Sequence, residues 1–417
     1  MIRLRTSRLA LSLLSTATLV LTAGCATSSG STQDAAAVPT TGGTPAAELR
    51  LGYFPNVTHA TAVYGDAAGI FADKLGDTRL STKTFNAGPS AVEALFAGAL
   101  DATYIGPNPA INAFVKSQGK AIRIIAGATS GGASLVVRPG ITRVEDLRGT
   151  RIASPQTGGT QDIALRHYLD ENGYQVDKTG AGDVTVLAQE NPVTLTAFKA
   201  GDIDGAWVPE PWASRLVLEG GGTVLVNERD LWPGGDFVTT HLIVRTDYLR
   251  EHPDTVRRLI EGSVESNKQI NADPAKAKTV VNAALERLTG KPLKPEVLDR
   301  AFAQIRSTDD PIASSLATSA EHAFATGLVK KADLTGIYEL DLLREVLGRD
   351  VDDAVGTDPA GDRHARLALA HSFGLGSPAG CVFEGVGGHV ESGEQHRATV
   401  PCLLRHDRSG RRTTVTP

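Results

Sequence analysis

The chain has 417 residues, enough for two lobes with appendages and too many for one ordinary compact unit. Its 41% hydrophobic and 21% charged residues exclude a disordered or a membrane-spanning protein. Setting aside Arg3, Arg5, Arg8 and the seven Arg and five acidic residues beyond Ala360 leaves 32 basic against 42 acidic side chains. That balance excludes nucleic acid as a partner, and it means that an anionic ligand must be held by local donors against a repelling overall field.

The first 24 residues read as a signal peptide. Arg3, Arg5 and Arg8 make a positive start, Leu9 to Leu21 a short apolar core, and Thr22, Ala23 and Gly24 a small-residue site ahead of Cys25. This arrangement resembles a bacterial lipobox, with Thr22 where Leu is usual, and predicts lipidation of Cys25 and anchoring to the outer face of the membrane. Residues 25–47 are rich in Ser, Thr, Gly and Ala and predict a flexible tether.

From Leu49 onward strand-like and helix-like segments alternate, which predicts an α/β protein with largely parallel sheets. Strands are expected at Leu49–Tyr53, Leu80–Phe85, Ala102–Ile105, Ile122–Ala126 and Ser134–Val137, with helices at Ser90–Phe96 and Ala110–Ser117. Arg138-Pro139-Gly140 reads as a hinge crossing. A second series follows, with strands at Arg151–Ala153, Val184–Leu187, Ala206–Val208 and Val224–Val226 and helices at Thr160–Glu171 and Val193–Lys199. After a strand at Val238–Arg245 come helices at Pro253–Asn271, Ala275–Leu288, Pro295–Ile305, Ser315–Thr326 and Leu334–Leu347. Pro253, Pro274 and Pro295 suit a first helical turn.

An internal repeat orders these segments. Residues 91–110 lie over residues 194–213 without gaps, matching at Ala94 with Ala197, Ala97 with Ala200, Gly98 with Gly201, Asp101 with Asp204 and Ala110 with Ala213. Each copy reads as a helix closed by a glycine, an Asp, a short apolar strand and a Pro-x-Pro turn. Two equivalent units predict two lobes whose strand ends face one another across a ligand cleft.

The loops at those strand ends supply the candidate binding residues. Thr157, Gly158, Gly159, Thr160 and Gln161 open a helix, where backbone N–H groups make an anion site without formal charge. Gly88 and Ser90 occupy the equivalent loop of the first half, with Ser90 open to a capping role as well. Asn56, Thr58 and His59 follow the first strand and offer donors to an oxyanion. The proline-stiffened turns present Asn108 and Glu210, and Trp212 offers a flat apolar wall. Glu210 needs a partner beside an anion, or else braces its turn.

Leu49–Gly65, the Ala94–Asp101 segment, the Thr157–Asp162 loop and Trp207–Trp212 together resemble the substrate-binding proteins of ABC importers, in the branch for aliphatic sulfonates, nitrate and taurine. The resemblance implies a periplasmic-binding-protein fold of the second type, with 48–138 and 238–350 forming one lobe and 139–237 the other. It implies a monomer that captures a small anion and delivers it to a permease and its ATPase, without cofactor, metal or catalysis. The alternatives within it are nitrate, taurine or a thiamine-pyrimidine precursor as ligand. A thiamine-pyrimidine-synthase-like enzyme on the same fold would carry a cysteine cluster, and Leu49–Leu347 contains no cysteine. Beyond Val351 the composition changes: residues 361–417 hold five of the ten His and, in Cys381 and Cys402, two of the three Cys. This segment reads as an unstructured tail outside the resemblance.

Overall fold

The computed structural model describes residues 44–353. The signal segment, Cys25, most of the expected tether, Cys381, Cys402 and nearly all of the tail therefore lie outside the described residues.

The first series comprises β1 (Glu48–Tyr53), α1 (Ala60–Ala67), α2 (Ile70–Leu75), β2 (Arg79–Thr84), α3 (Gly88–Phe96), β3 (Ala102–Ile105), α4 (Pro107–Lys116) and β4 (Ile122–Gly131). The second comprises β5 (Ala133–Val137), β6 (Arg151–Ser154), α5 (Thr160–Glu171), β7 (Thr185–Ala188), α6 (Asn191–Ala200), β8 (Gly205–Pro209), α7 (Trp212–Leu218) and β9 (Thr223–Asn227). The third runs through β10 (Val238–Arg245), α8 (Thr246–Glu251), α9 (Pro253–Ala272), α10 (Pro274–Thr289), α11 (Pro295–Ala303), β11 (Ile305–Ser307), α12 (Ala313–Ala325) and α13 (Asp341–Leu347).

These strands make two sheets, ordered β11-β4-β10-β3-β1-β2 and β7-β6-β8-β5-β9. Without β11 the two orders are the same. Each has a parallel trio, β2-β1-β3 or β7-β6-β8. Each continues into one strand, β10 or β5, that runs antiparallel to both its neighbours. Two such sheets clad by helices are the two-lobed periplasmic-binding architecture of the second type. One large core fills the first lobe, and two smaller clusters cover the two faces of the second sheet.

The repeat is kept in three dimensions. Shifted by the spacing of the matched pairs, α3 falls on α6 and β3 on β8, and Gly98 and Gly201 both take left-handed φ values, 67° and 91°. The two aspartates also do the same work. The Asp101 carboxylate accepts the Arg50 N–H at 2.8 Å, and the Asp204 carboxylate accepts the Arg151 N–H at 2.8 Å. Arg245, closing β10, and Arg138, closing β5, donate their backbone N–H to the carbonyls of Asp101 and Asp204. Each aspartate thus ties three strands together at the amino end of its parallel trio, which leaves the opposite end free for loops.

Several boundaries differ from expectation. The crossing between sheets lies at Gly131-Gly132, both at φ 80°, because β5 already pairs with β8 and β9 of the second sheet. Arg138-Pro139-Gly140 follows that strand and is not the crossing. A side chain at either glycine would be strained in this left-handed conformation, and a Cβ at Gly131 would stand 2.7 Å from the Gln304 carbonyl oxygen. Pro107-Asn108-Pro109 is the first turn of α4, not a turn of its own, since a helix start spares the N–H groups that proline lacks. Ile305 leaves the helix to pair with Gly131 as part of β11. Of Leu334–Leu347 only Asp341–Leu347 is helical, because Tyr338 bridges Ile124 at the sheet edge. Ala46 is buried and donates to Thr255 Oγ1 at 2.9 Å, so the body begins before the expected end of the tether. Val351 is likewise buried, its carbonyl accepting from Arg344, so the tail does not begin there.

Candidate functional site

The carboxyl ends of both parallel trios meet across a cavity between the lobes. The chain after β1 supplies Asn56, Thr58 and His59, the chain after β2 supplies Asn86 and Gly88, and the chain after β3 supplies Gly106. From the other lobe come Gln156, Gly159, Thr160 and Gln161 after β6, Asn191 after β7 and Pro209 at the end of β8. The enclosed space is small, ≈ 40 Å³ for the centres of water-sized molecules. No Lys, Arg, Asp or Glu lines it.

Its polarity comes from neutral groups. α5 opens at Gly159 without a side-chain cap, so the N–H groups of Thr160 and Gln161 in its first turn have no helical acceptor and face the cavity end. The Gly159 N–H itself is taken by the Gln156 carbonyl at 3.0 Å. Thr160 Oγ1 is buried with no hydrogen-bond partner in the protein, and so is Asn191 Oδ1. Burying an unpartnered polar atom costs about 1–3 kcal/mol. Two of them lining one cavity mark it as a place that a polar molecule completes.

Asn56 presents a fixed end. Trp212 Nε1, a donor only, bonds its Oδ1 at 2.9 Å, so the amide Nδ2 hydrogens remain for the cavity. His59 is buried and packs on Phe54, ring centroids 4.3 Å apart. Burial lowers its pKa to about 3, so the ring is neutral near pH 7. Its Nδ1 accepts the Phe54 N–H at 3.4 Å, which puts the proton on Nε2 and makes that nitrogen a donor.

The lobes are closed over this space. The Thr58 N–H donates to the Glu210 carbonyl at 3.3 Å, Asn86 Nδ2 to Glu190 Oε2 at 2.9 Å, and the Asn56–Trp212 bond makes a third link. The lobes also approach closely at Gly106, where a Cβ would stand 2.2 Å from Thr160 Oγ1. Gly106→Val is therefore expected to hold the lobes apart and weaken ligand binding at least tenfold, with an unchanged circular dichroism spectrum. Affinity within twofold of wild type by calorimetric titration would contradict this account of closure.

Asn56, Thr58, His59, Gly88, Gly159, Thr160 and Gln161 thus share the cavity, and six other candidates do not. Ser90 turns back, donating to the Ala87 carbonyl at 2.9 Å. Asn108 is buried in the first turn of α4, and its Nδ2 donates to the Ser319 carbonyl at 3.0 Å, tying α4 to α12. Thr157 is exposed, and the Gly158 N–H is taken by Asp162 Oδ2 at 2.8 Å. Glu210 braces its own corner: its buried carboxylate accepts the Ser214 N–H at 3.0 Å, and burial raises its pKa to about 7. Trp212 faces a second, outer space instead. Asn191 was within reach of the repeat, whose spacing carried three residues back from Ala91 and Thr194 pairs it with Gly88. Asn86, Gly106 and Gln156 stand in the expected loops, but nothing in their residue type singles them out.

A model of the NMT1-like family matches residues 42–285. The chain belongs to that family. Among curated relatives, the taurine-binding periplasmic protein of Escherichia coli K12 is 28% identical over 217 residues, 51% of this chain and 64% of that one. The match thus spans just under two thirds of that relative. Among solved structures, the alkanesulfonate-binding protein SsuA of Xanthomonas axonopodis pv. citri, bound to MOPS, aligns with a TM-score of 0.59 and 23% identity, covering 69% of this chain and 96% of that one. The nitrate-binding protein NrtA of Synechocystis aligns at 0.63 with 16% identity, over 75% and 92% of the two chains. Both share the fold described above, so this member of the NMT1-like family builds its cavity at the position where such folds hold ligands.

Proposed function

We propose that this protein is the extracytoplasmic solute-binding component of an ABC importer, capturing a small organic oxyanion of the aliphatic-sulfonate type and handing it to a permease. The observation that carries the reading is the inner cavity itself. It is closed by both lobes, free of formal charge, and lined by the open first turn of α5, the orphaned Thr160 hydroxyl, the Asn56 amide and a neutral His59. Such a set holds an anion by dipoles and hydrogen bonds. No carboxylate lines it, and burial makes its imidazole a weak base, which supports a binding role. The relatives named for taurine and alkanesulfonate binding support the ligand class.

In this reading the lobes swing about Gly131-Gly132 and the return segment between β9 and β10, opening the cavity to solvent. A lipid on Cys25 would keep the protein beside its permease, and the protein would act as a monomer. Thermal melts of the purified chain with alkanesulfonates, taurine, nitrate, bicarbonate and pyrimidines test the ligand class. A ligand present at about a hundred times its Kd adds about 2.7 kcal/mol, a rise of several degrees. The expected result is a saturable rise with sulfonates, largest among the panel. A rise confined to a pyrimidine or an amine would overturn the reading.

A further inference from the structure

Two turns beyond its open start, α5 carries a feature that the binding cavity does not use. His167 of α5 and His322 of α12 are stacked, with ring centroids 3.5 Å apart and planes 20° from parallel. α12 is rooted in the first core through Leu316, Ala320 and Ala323, and α5 in the second through Leu165 and Leu169. The two rings therefore meet across the lobes. Trp232, in the return segment between β9 and β10, packs on the same His322 ring with centroids 5.7 Å apart. Nearly parallel rings do not point their nitrogen lone pairs at one spot, so this pair is a packing contact and not a chelate.

The charges around the pair leave a proton on His322 without a partner. Glu171 Oε1 stands 3.3 Å from His167 Nε2, one turn along α5, and serves that ring alone. Arg166, beside His167, is engaged by Asp162 at 3.0 Å. Glu228 of the return segment lines the same small space as His322, but burial raises its pKa to about 7, so in acid it holds no charge to offset a cation. From the loop after α5, Lys178 comes close to the end of α12, where a Cβ on Gly327 would stand 3.5 Å from its Nζ. On α12 itself Glu321 is paired with Lys331 at 3.4 Å, and α4 brings only the uncharged Asn108 to this space. Burial first, and the neighbouring His167 second, hold the His322 pKa at about 4, against an ordinary 6.5.

Opening the lobes removes both influences, and a ring in water takes a proton as an ordinary histidine does. Resting on the reading above that closed lobes hold the ligand, we infer that the His167–His322 stack is an acid-released latch: it packs the lobes together while His322 is neutral, and a proton on His322 favours the open form and release of the anion. Closure in acid expels that proton, so affinity falls with pH below about 6.5, by up to about tenfold per unit.

Calorimetric titration of the full chain with methanesulfonate, an anion of constant charge over this range, tests the latch. From pH 7.5 to pH 5.5 the wild-type affinity is expected to fall about tenfold. His322→Phe keeps a ring on His167 but takes no proton, and its affinity is expected to change less than about threefold over the same range. His167→Glu, which sets a carboxylate beside His322, is expected to remove the loss as well. A wild-type affinity that is flat across the range, or a tenfold fall that survives in either variant, would overturn the latch. Failure of methanesulfonate to bind at pH 7.5 would instead tell against the oxyanion reading, and X-ray scattering by the free chain then decides the latch. Its radius of gyration is expected to rise from pH 7.5 to pH 5.5 in the wild-type chain and to stay constant in His322→Phe. The same behaviour in both chains would overturn the proposal.

Discussion

Gly159→Asp is expected to abolish oxyanion binding while leaving the fold intact or slightly more stable. Gly159 is the N-cap of α5, with extended backbone at φ −74° and ψ 170°, a conformation that Asp adopts without strain. An Asp there accepts the free N–H groups of the first turn, gaining a few tenths of a kcal/mol over Gly. Those are the groups that the ligand needs, so the carboxylate occupies the site as an internal anion. It also repels: two unit charges about 4 Å apart at an effective dielectric of about 20 cost about 4 kcal/mol, close to a thousandfold in affinity. Gly159→Ala is the steric control, since its Cβ meets only the Gln156 carbonyl, at 3.0 Å. Melting temperature and titration read together decide the matter. If Gly159→Asp keeps its affinity for a ligand of the wild-type chain, the α5 amino terminus is not where the anion sits.

Acid is expected to unfold the protein below about pH 4.5, after a plateau from there to neutrality. Burial holds His59, His241 and His322 at pKa values of about 3, 4 and 4, against an ordinary 6.5. A base with a lowered folded pKa refuses a proton that the unfolded chain accepts. Stability is therefore lost as pH falls from about 6.5 towards the folded values. At about 1.4 kcal/mol per unit, His241 alone costs about 3 kcal/mol by pH 4. Glu210 and Glu228 act in the opposite sense. Burial raises both to about 7, so their contribution improves as pH falls from 7 to 4.5 and is then constant. The two sets offset one another until the glutamates are fully protonated, and below that only losses remain. Asp177, held low first by the Thr179 hydroxyl and then by the Ala181 N–H, and Asp146 and Asp183, held low first by the Thr142 and Gln175 N–H groups, add to those losses in the same direction. His241→Gln, which keeps a donor for the Pro311 carbonyl that His241 Nε2 meets at 2.9 Å, is expected to move the acid midpoint down by several tenths of a pH unit. Denaturant melts at pH 7, 5.5, 4.5 and 4 provide the check. A wild-type chain as stable at pH 4 as at pH 5.5 would show that these histidines are not held neutral.

The two experiments probe different layers of one design. Gly159 concerns donors left open at a helix start, whereas His241 and Glu228 are polar groups sealed into the body, one against the Pro311 carbonyl and the other against the Trp207 and Trp232 side chains. Burial of the second kind is compatible with the fold only while its groups stay neutral.

Much of this was legible in the residues, for identifiable reasons. The strand-like and helix-like runs are local properties, and Thr160–Glu171 and Val238–Arg245 emerged at their expected limits. The repeat carried more, because Gly98, Gly201, Asp101 and Asp204 sit where two equivalent backbones make the same demands. The Gly159–Gln161 loop was readable since a glycine before a helix start leaves N–H groups open whatever surrounds them. Side-chain direction was not readable. Asn108 and Glu210 stand on the expected corners yet point away from the cavity, one bonding α12 and the other its own helix start. Asn191 needed the partner lobe to give it meaning.

Local sequence thus determined the elements, the duplicated half and the open helix start at Gly159, because each is written in short stretches of neighbouring residues. Only the tertiary structure decided where the chain crosses between sheets, which loop residues look inward, and that loops of both lobes enclose one cavity free of charged side chains. Those features arise from contacts between segments a hundred residues apart, and no periodicity along the chain encodes the distance across a closed cleft.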